Sequence, residues 1–348
     1  MSTLTAPVRA LAPAEWTVRA SAHAARADAL TADRRARRSR HEKHPIEDFL
    51  VEYYPVRPAQ LARWHPGVGV ALLADGRPDA DAALAERAGW RWHTTLPDGA
   101  APPSVIVTTS TRYPHRSCDD DGPERDEPVA LPADGVGRDV PSAVVLDVEA
   151  FLADRGEGVR WIDDLLRRTA ARPAHLGCLG LHEWAMVYRQ REHRHQLPLR
   201  LGQAGTDAVV EAHPIRCTHF DAFRFFTEPA RPLNRLQPDR ATQPDLEQPG
   251  CLHANMDLLK AALKLGPACP GELLLDCFEL ARDIRLLDMQ ASPYDVTSLG
   301  HEPVAIETPA GRAEYVARQR EFSDRAAPLR SRLLEVTTTL LAADASSR

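Results

Sequence analysis

Residues 270–291, PGELLLDCFELARDIRLLDMQA, constrain the fold more than any other stretch. Their periodicity predicts a helix with two unequal faces. Glu272, Asp276, Glu279 and Asp283 recur at i, i+4, i+7 and i+11, an acidic stripe of the kind usually turned to solvent. Asp288 falls on the other side, with Cys277, Ala281 and Ile284. An acid on an apolar face must be paired, neutral or functional. Arg282 and Arg285, close to Phe278 and Met289, are its candidate partners, or contacts for an anionic ligand. Whatever this chain folds into must bury a helix and accommodate a charge within it.

Further helices are expected at 148–171, 180–195, 253–265 and 309–343, and the Ala/Arg-rich residues 13–40 also read as helical, solvated and frayed. Pro45 suits the first turn of a helix over IEDFLVEYY. Short β-branched or apolar runs at 67–75 and 104–110 read as strands. Residues 114–142 are acidic, rich in Pro and Gly, and without periodicity, which predicts a long loop. The expected fold class is mainly α with a small β element (α+β) around a helical core. The expected organisation is a basic arm over 1–40 and a single large domain over 41–345, with an irregular acidic insertion at 114–142.

Composition narrows the function classes. A net charge of −6 argues against a chain coated in positive charge for tight nonspecific DNA binding, although residues 31–44, TADRRARRSRHEKH, hold six Arg or Lys. No apolar run reaches the roughly 18–20 residues needed to span a bilayer, so no membrane partner is expected. The N-terminus lacks the apolar segment of a secretory signal, and six scattered cysteines show no small-scaffold spacing. The expectation is a cytoplasmic protein with reduced thiols. No P-loop, dinucleotide-binding glycine fingerprint, nucleophile elbow or HExxH motif is present.

What the chain does carry is a set of blocks pairing imidazole with carboxylate. CTHFDAFRFF, residues 217–226, sets Cys217, His219 and Asp221 at alternate positions among four phenylalanines. An extended backbone would turn all three to one face; a helix would separate His219 from Asp221. A self-satisfying cluster, with Asp221 on Arg224, accounts for it equally well. CLHANMDLLK places His253 and Asp257 at i, i+4, on a face that continues to Lys260 and Lys264 as a solvated face also does. HEKHPIEDFL offers His41 and His44, and GLHEWAMVYR offers His182 and Glu183 beside Trp184. Imidazole and carboxylate together suit iron, manganese or zinc. The C-x-H spacing does not suit a structural zinc finger.

Taken together, the blocks HEKHPIEDFLVEYYPVRPAQLARWHPG, GLHEWAMVYR, PIRCTHFDAFRFFTEPARPLN, EQPGCLHANMDLLK and DCFELARDIRLLDMQASPYD resemble an actinobacterial family commonly labelled 3-methyladenine DNA glycosylase, over most of residues 41–325. The resemblance implies removal of alkylated purine bases from DNA, without a cofactor. Such an enzyme extrudes a base, stacks it on aromatic side chains and stabilises a cationic sugar with an ionised carboxylate. Asp221, Asp288 and Glu183 are the candidate catalytic acids. Phe220, Phe223, Trp184, Arg224, Arg282 and Arg285 are the candidate substrate contacts, with arginines of 34–40 on phosphate. The alternative is a metal-dependent oxygenase or hydrolase of a small molecule, its Fe, Mn or Zn drawn from His41, His44, His182, His219, His253 and Asp257, with Glu183, Asp221 and Asp288 as further acids. A third reading is a non-catalytic helical binding protein whose polar clusters only satisfy one another.

Overall fold

A computed structural model describes residues 9–54, 56–96, 141–193 and 195–347. The strand expected at 104–110 and nearly all of the acidic stretch at 114–142 lie outside these residues. The fold is mainly helical with one small sheet. Strand β1 (Arg9–Leu11) pairs in parallel with β2 (Val70–Leu73). β3 (His93–Leu96) and β2 both pair antiparallel with β4 (Ala143–Leu146), giving the order β1-β2-β4-β3. Val70–Leu73 lies within the strand expected at 67–75.

The first helices are α1 (Pro13–Ser39), α2 (Phe49–Tyr53), α3 (Pro58–Leu61) and α4 (Pro78–Ala88). The helical layers continue with α5 (Val148–Ala170), α6 (Leu181–Ala185), α7 (Gly202–Ala212), α8 (Phe220–Phe223) and α9 (Gln243–Leu246). They end with α10 (Leu252–Leu265), α11 (Gly271–Gln290) and α12 (Pro309–Ser347). Helix α10 packs on α11, and α12 lies against α5, α10 and α11. Leu273, Cys277, Leu280, Ile284 and Leu287 of α11 bury their apolar face against Leu252, Met256, Leu259 and Ala262 of α10. Each buried leucine or isoleucine contributes about 1.5–3 kcal/mol over an exposed one.

Four expectations are corrected here. Residues 13–39 are not a frayed arm: Trp16, His23, Ala27 and Thr31 are buried, and the helix lies on α11. Four of the arginines of 34–40 pair within the chain, Arg34 with Asp48, Arg35 with Asp28, Arg37 with Glu47 and Arg40 with Glu42. The acidic stripe of α11 is likewise a seam. Glu272 meets Arg19 and the Trp64 indole, Asp276 meets Arg26 and Arg332, Glu279 meets Arg26, and Asp283 meets Arg325. The helix expected at 180–195 stops at Ala185. Arg189 has a left-handed φ of 53°, and its N–H is taken by Asp207 Oδ1 rather than by a helical carbonyl. The helix expected from Pro45 starts later, at Phe49.

Close backbone approach fixes the start of α12. A Cβ on Gly311 would stand 2.0 Å from the Ala305 carbonyl oxygen, and backbone has little room to yield. Gly311→Ala is expected to destabilise the fold by about 3 kcal/mol, the upper end for overpacking, read as a lowered urea midpoint. An unchanged midpoint would show that this junction repacks freely.

Candidate metal centre and adjoining cleft

A buried polar group is built from three segments. His182 and Glu183 come from α6, which starts after a left-handed turn at Leu179 and Gly180 (φ 52° and 69°). His253 comes from the first turn of α10, and Arg285 and Asp288 from the last turns of α11. One ligand atom each from His182, His253 and Asp288 lies within 4.8 Å of the other two, and all three residues are buried. His182 Nε2 is 2.8 Å from Asp288 Oδ1, and its Nδ1 is 3.4 Å from the Cys178 thiol. The second Asp288 oxygen accepts from Arg285 Nη1 at 3.0 Å, which also donates to Glu183 at 3.1 Å. The Arg285 guanidinium lies 4.0 Å over the Phe49 ring. The His253 ring stands edge-on to His182 at 4.5 Å.

The charges follow from this packing. Burial alone would lower the His182 pKa, but the Asp288 carboxylate raises it well above the usual imidazole value. Burial would raise that of Asp288, and His182 holds it far below the carboxylate range instead. His253 has no such partner: burial and the neighbouring His182 push it down to about 3, so it is a neutral imidazole. Glu183 is raised by burial and by the Asp288 charge.

A second group abuts the first, with the His219 ring tilted over His253 at 5.3 Å. CTHFDAFRFF is neither a strand nor one helix. His219 caps α8, its Nδ1 accepting from the Ala222 N–H at 3.2 Å. That cap leaves the hydrogen on Nε2, which faces Glu247 and Asp257 at 3.3 and 3.4 Å without an aligned hydrogen bond. Burial opposes a charged imidazole here, and Glu247 and Asp257 favour it, with a net upward shift. Asp257 also accepts from the Tyr54 hydroxyl at 2.9 Å. Cys217, His219 and Asp221 therefore do not point together. The Cys217 thiol turns to the His219 carbonyl, and Asp221 faces outward to Lys260 at 2.6 Å and Arg224 at 3.3 Å.

Asp221 opens onto the surface. A cleft of about 380 Å³ is lined by Glu52, Tyr53, Asp221, Arg224, Phe225, Arg240 and Lys260. Lys260 bridges it to the interior, its Nζ 3.4 Å from Asp257. Burial alone would raise the Asp221 pKa, but the Lys260 ammonium pulls it below the usual value. The Tyr53 hydroxyl is pushed up to about 12 by burial and by Asp257.

The expected residues thus separate. His182, His253 and Asp288 converge; His219 and Asp257 form the adjoining group; Asp221 and Arg224 line the cleft. Trp184 does not reach it: its indole is buried and donates to the Ala291 carbonyl. Phe223 packs on Phe226 in the core, and Phe225 is the ring of this segment that reaches the cleft. Arg282 pairs with Asp283, while Arg285 pairs with Asp288. His41 is exposed, and His44 accepts from the Glu47 N–H; neither joins the converging group. Cys178, Tyr53, Tyr54, Arg240, Glu247 and Lys260 were not singled out as site residues by the sequence.

No described helix is long and apolar enough to cross a membrane. Compared with known proteins, the chain matches no family model, no curated protein and no solved structure.

Proposed function

We propose that this chain is a metal-dependent enzyme acting on a small molecule, with a divalent cation held by His182, His253 and Asp288. The observation that carries the reading is the convergence of two imidazoles and one carboxylate within 4.8 Å. Ligand atoms each about 2.0–2.2 Å from one ion stand roughly 3–4.4 Å apart, so small side-chain movements suffice. Two histidines and a carboxylate suit iron, and also zinc or manganese. Iron favours oxygenase chemistry and zinc hydrolysis, so the bound element decides between them.

The chain's own groups have definite tasks in this reading. Cys178 contacts His182 Nδ1 and orients the ring; Nε2, which faces Asp288 at 2.8 Å, would give up its proton when the ion binds. Arg285 holds the other Asp288 oxygen and fixes the carboxylate. Phe49 and the buried face of α11 keep water from that ion pair. Elemental analysis of the purified protein is expected to give close to one equivalent of metal. Dialysis against EDTA is expected to lower the melting temperature by several degrees, because the ion binds only the folded chain. Metal-free protein with unchanged melting after saturation with Fe(II), Mn(II) and Zn(II) would remove this reading.

A second reading, an alkylpurine DNA glycosylase, is favoured by one specific feature. Asp221 is held ionised in an open cleft that also presents Tyr53 and Phe225. It predicts base release from methylated DNA in the presence of EDTA, reduced at least about 100-fold in Asp221→Asn, a loss of the size seen when one electrostatic contact to a transition state is removed. Undiminished release in that variant would take Asp221 out of the reaction.

A further inference from the structure

The cleft has its own charge pattern. Its lining holds three cations, Arg224, Arg240 and Lys260, against two carboxylates, Glu52 and Asp221. Asp221 is already engaged by Lys260 and Arg224. Arg240 forms no ion pair among the described residues. Its guanidinium lies 4.6 Å from the Trp161 ring, which Lys264 also approaches at 5.8 Å. Burial, and then repulsion from Lys260 and Arg240, lowers the Lys264 pKa. Two rings, Tyr53 and Phe225, complete the lining, and the Arg224 guanidinium already lies 4.6 Å over Phe225. The volume is that of a small-molecule site.

We infer that this cleft binds a small planar aromatic anion, a carboxylate or phosphate, with Arg240 and Arg224 on the charge and Tyr53 and Phe225 against the ring. The inference rests on the small-molecule reading above and names the substrate class for it. It opposes the glycosylase reading in sign, since an alkylated purine brings a positive ring. Repulsion from Asp221 is offset by Lys260, which holds it at 2.6 Å, closer than Arg224 at 3.3 Å.

The test is calorimetric titration of the full chain with benzoate and phenyl phosphate, with benzamide as the neutral control, at low and high salt. The anions are expected to bind at least tenfold more tightly than benzamide and more weakly as salt rises. Arg240→Gln is expected to weaken them about tenfold, the worth of one hydrogen bond to a charged group. Glu52→Gln is expected to strengthen them. Both residues are exposed, so both variants should fold, and a purely structural role would not move affinity in opposite directions. Equal binding of benzamide, no anion binding at about 10 mM, or no effect of either variant would overturn the inference, as would displacement of the anions by a duplex oligonucleotide at micromolar concentration. Metal content measured on the same samples keeps the two proposals apart. Anion binding by protein that takes up no metal overturns the metal centre alone; metal without anion binding overturns the cleft alone.

Discussion

Asp288→Asn is expected to lower the unfolding free energy by about 3–5 kcal/mol in metal-free buffer, the cost of removing one partner from a buried ion pair. The side chains of Asp288 and Arg285 are 0% and 2% exposed. Asparagine matches the shape of aspartate but brings an amide NH2. One Asp288 oxygen faces the His182 ring nitrogen and the other faces Arg285 Nη1, so the new amide must turn its donors on one of them. The guanidinium would keep only Glu183 as a carboxylate partner, whose own ionisation is opposed by burial. The surface pair Arg325–Asp283 gives the contrast: both side chains are more than 30% exposed, and Asp283→Asn is expected to cost less than about 1 kcal/mol. Urea titrations of the two variants with equal slopes provide the comparison. A loss below about 1 kcal/mol for Asp288→Asn would mean that the carboxylate is not what compensates Arg285.

That network shows what was legible in the sequence and what was not. Helical spacing put Asp288 on the apolar face of α11 and offered Arg285 as its partner, because residues three apart on a helix share a face. The pair Arg285–Asp288 is observed, and Arg282 turns outward to Asp283. The other members come from far along the chain: Glu183 is 102 residues from Arg285, and His182 is 106 from Asp288. No local period carries such contacts. The same limit explains the acidic stripe, which spacing reads as solvated although its partners sit on α1 and α12. On α10, the sequence saw His253, Asp257 and Lys260 on one face and had no means to tell a solvated face from a cleft wall. CTHFDAFRFF resisted both periodic readings because a cap falls inside it: His219 ends one backbone state and begins another. The sequence carried little signal for that: the usual caps are Ser, Thr, Asp and Asn, and Thr218 lies one position before the actual cap.

His253→Ala is expected to lower metal affinity by more than about 100-fold, since loss of a partner one shell further out already costs 10–100-fold. His253 discriminates well among the ligands. His182 and Asp288 hold each other and Arg285 in place, so changing either one disturbs folding and metal binding together. The ring of His253 instead packs against two other imidazoles, and burial keeps it neutral, so its removal leaves no buried charge uncompensated. The variant should remain folded, with a loss on the order of 1–3 kcal/mol for the space it vacates. His219→Ala separates the two neighbouring groups. It removes the cap of α8 and a ring nitrogen that faces Glu247 and Asp257, so it is expected to cost stability and leave metal content near that of the parent. If metal disappears from His219→Ala and persists in His253→Ala, the ion belongs with Glu247 and Asp257. In that event Asp257, which touches Lys260 on the cleft wall, becomes the ligand that joins the metal to the substrate site.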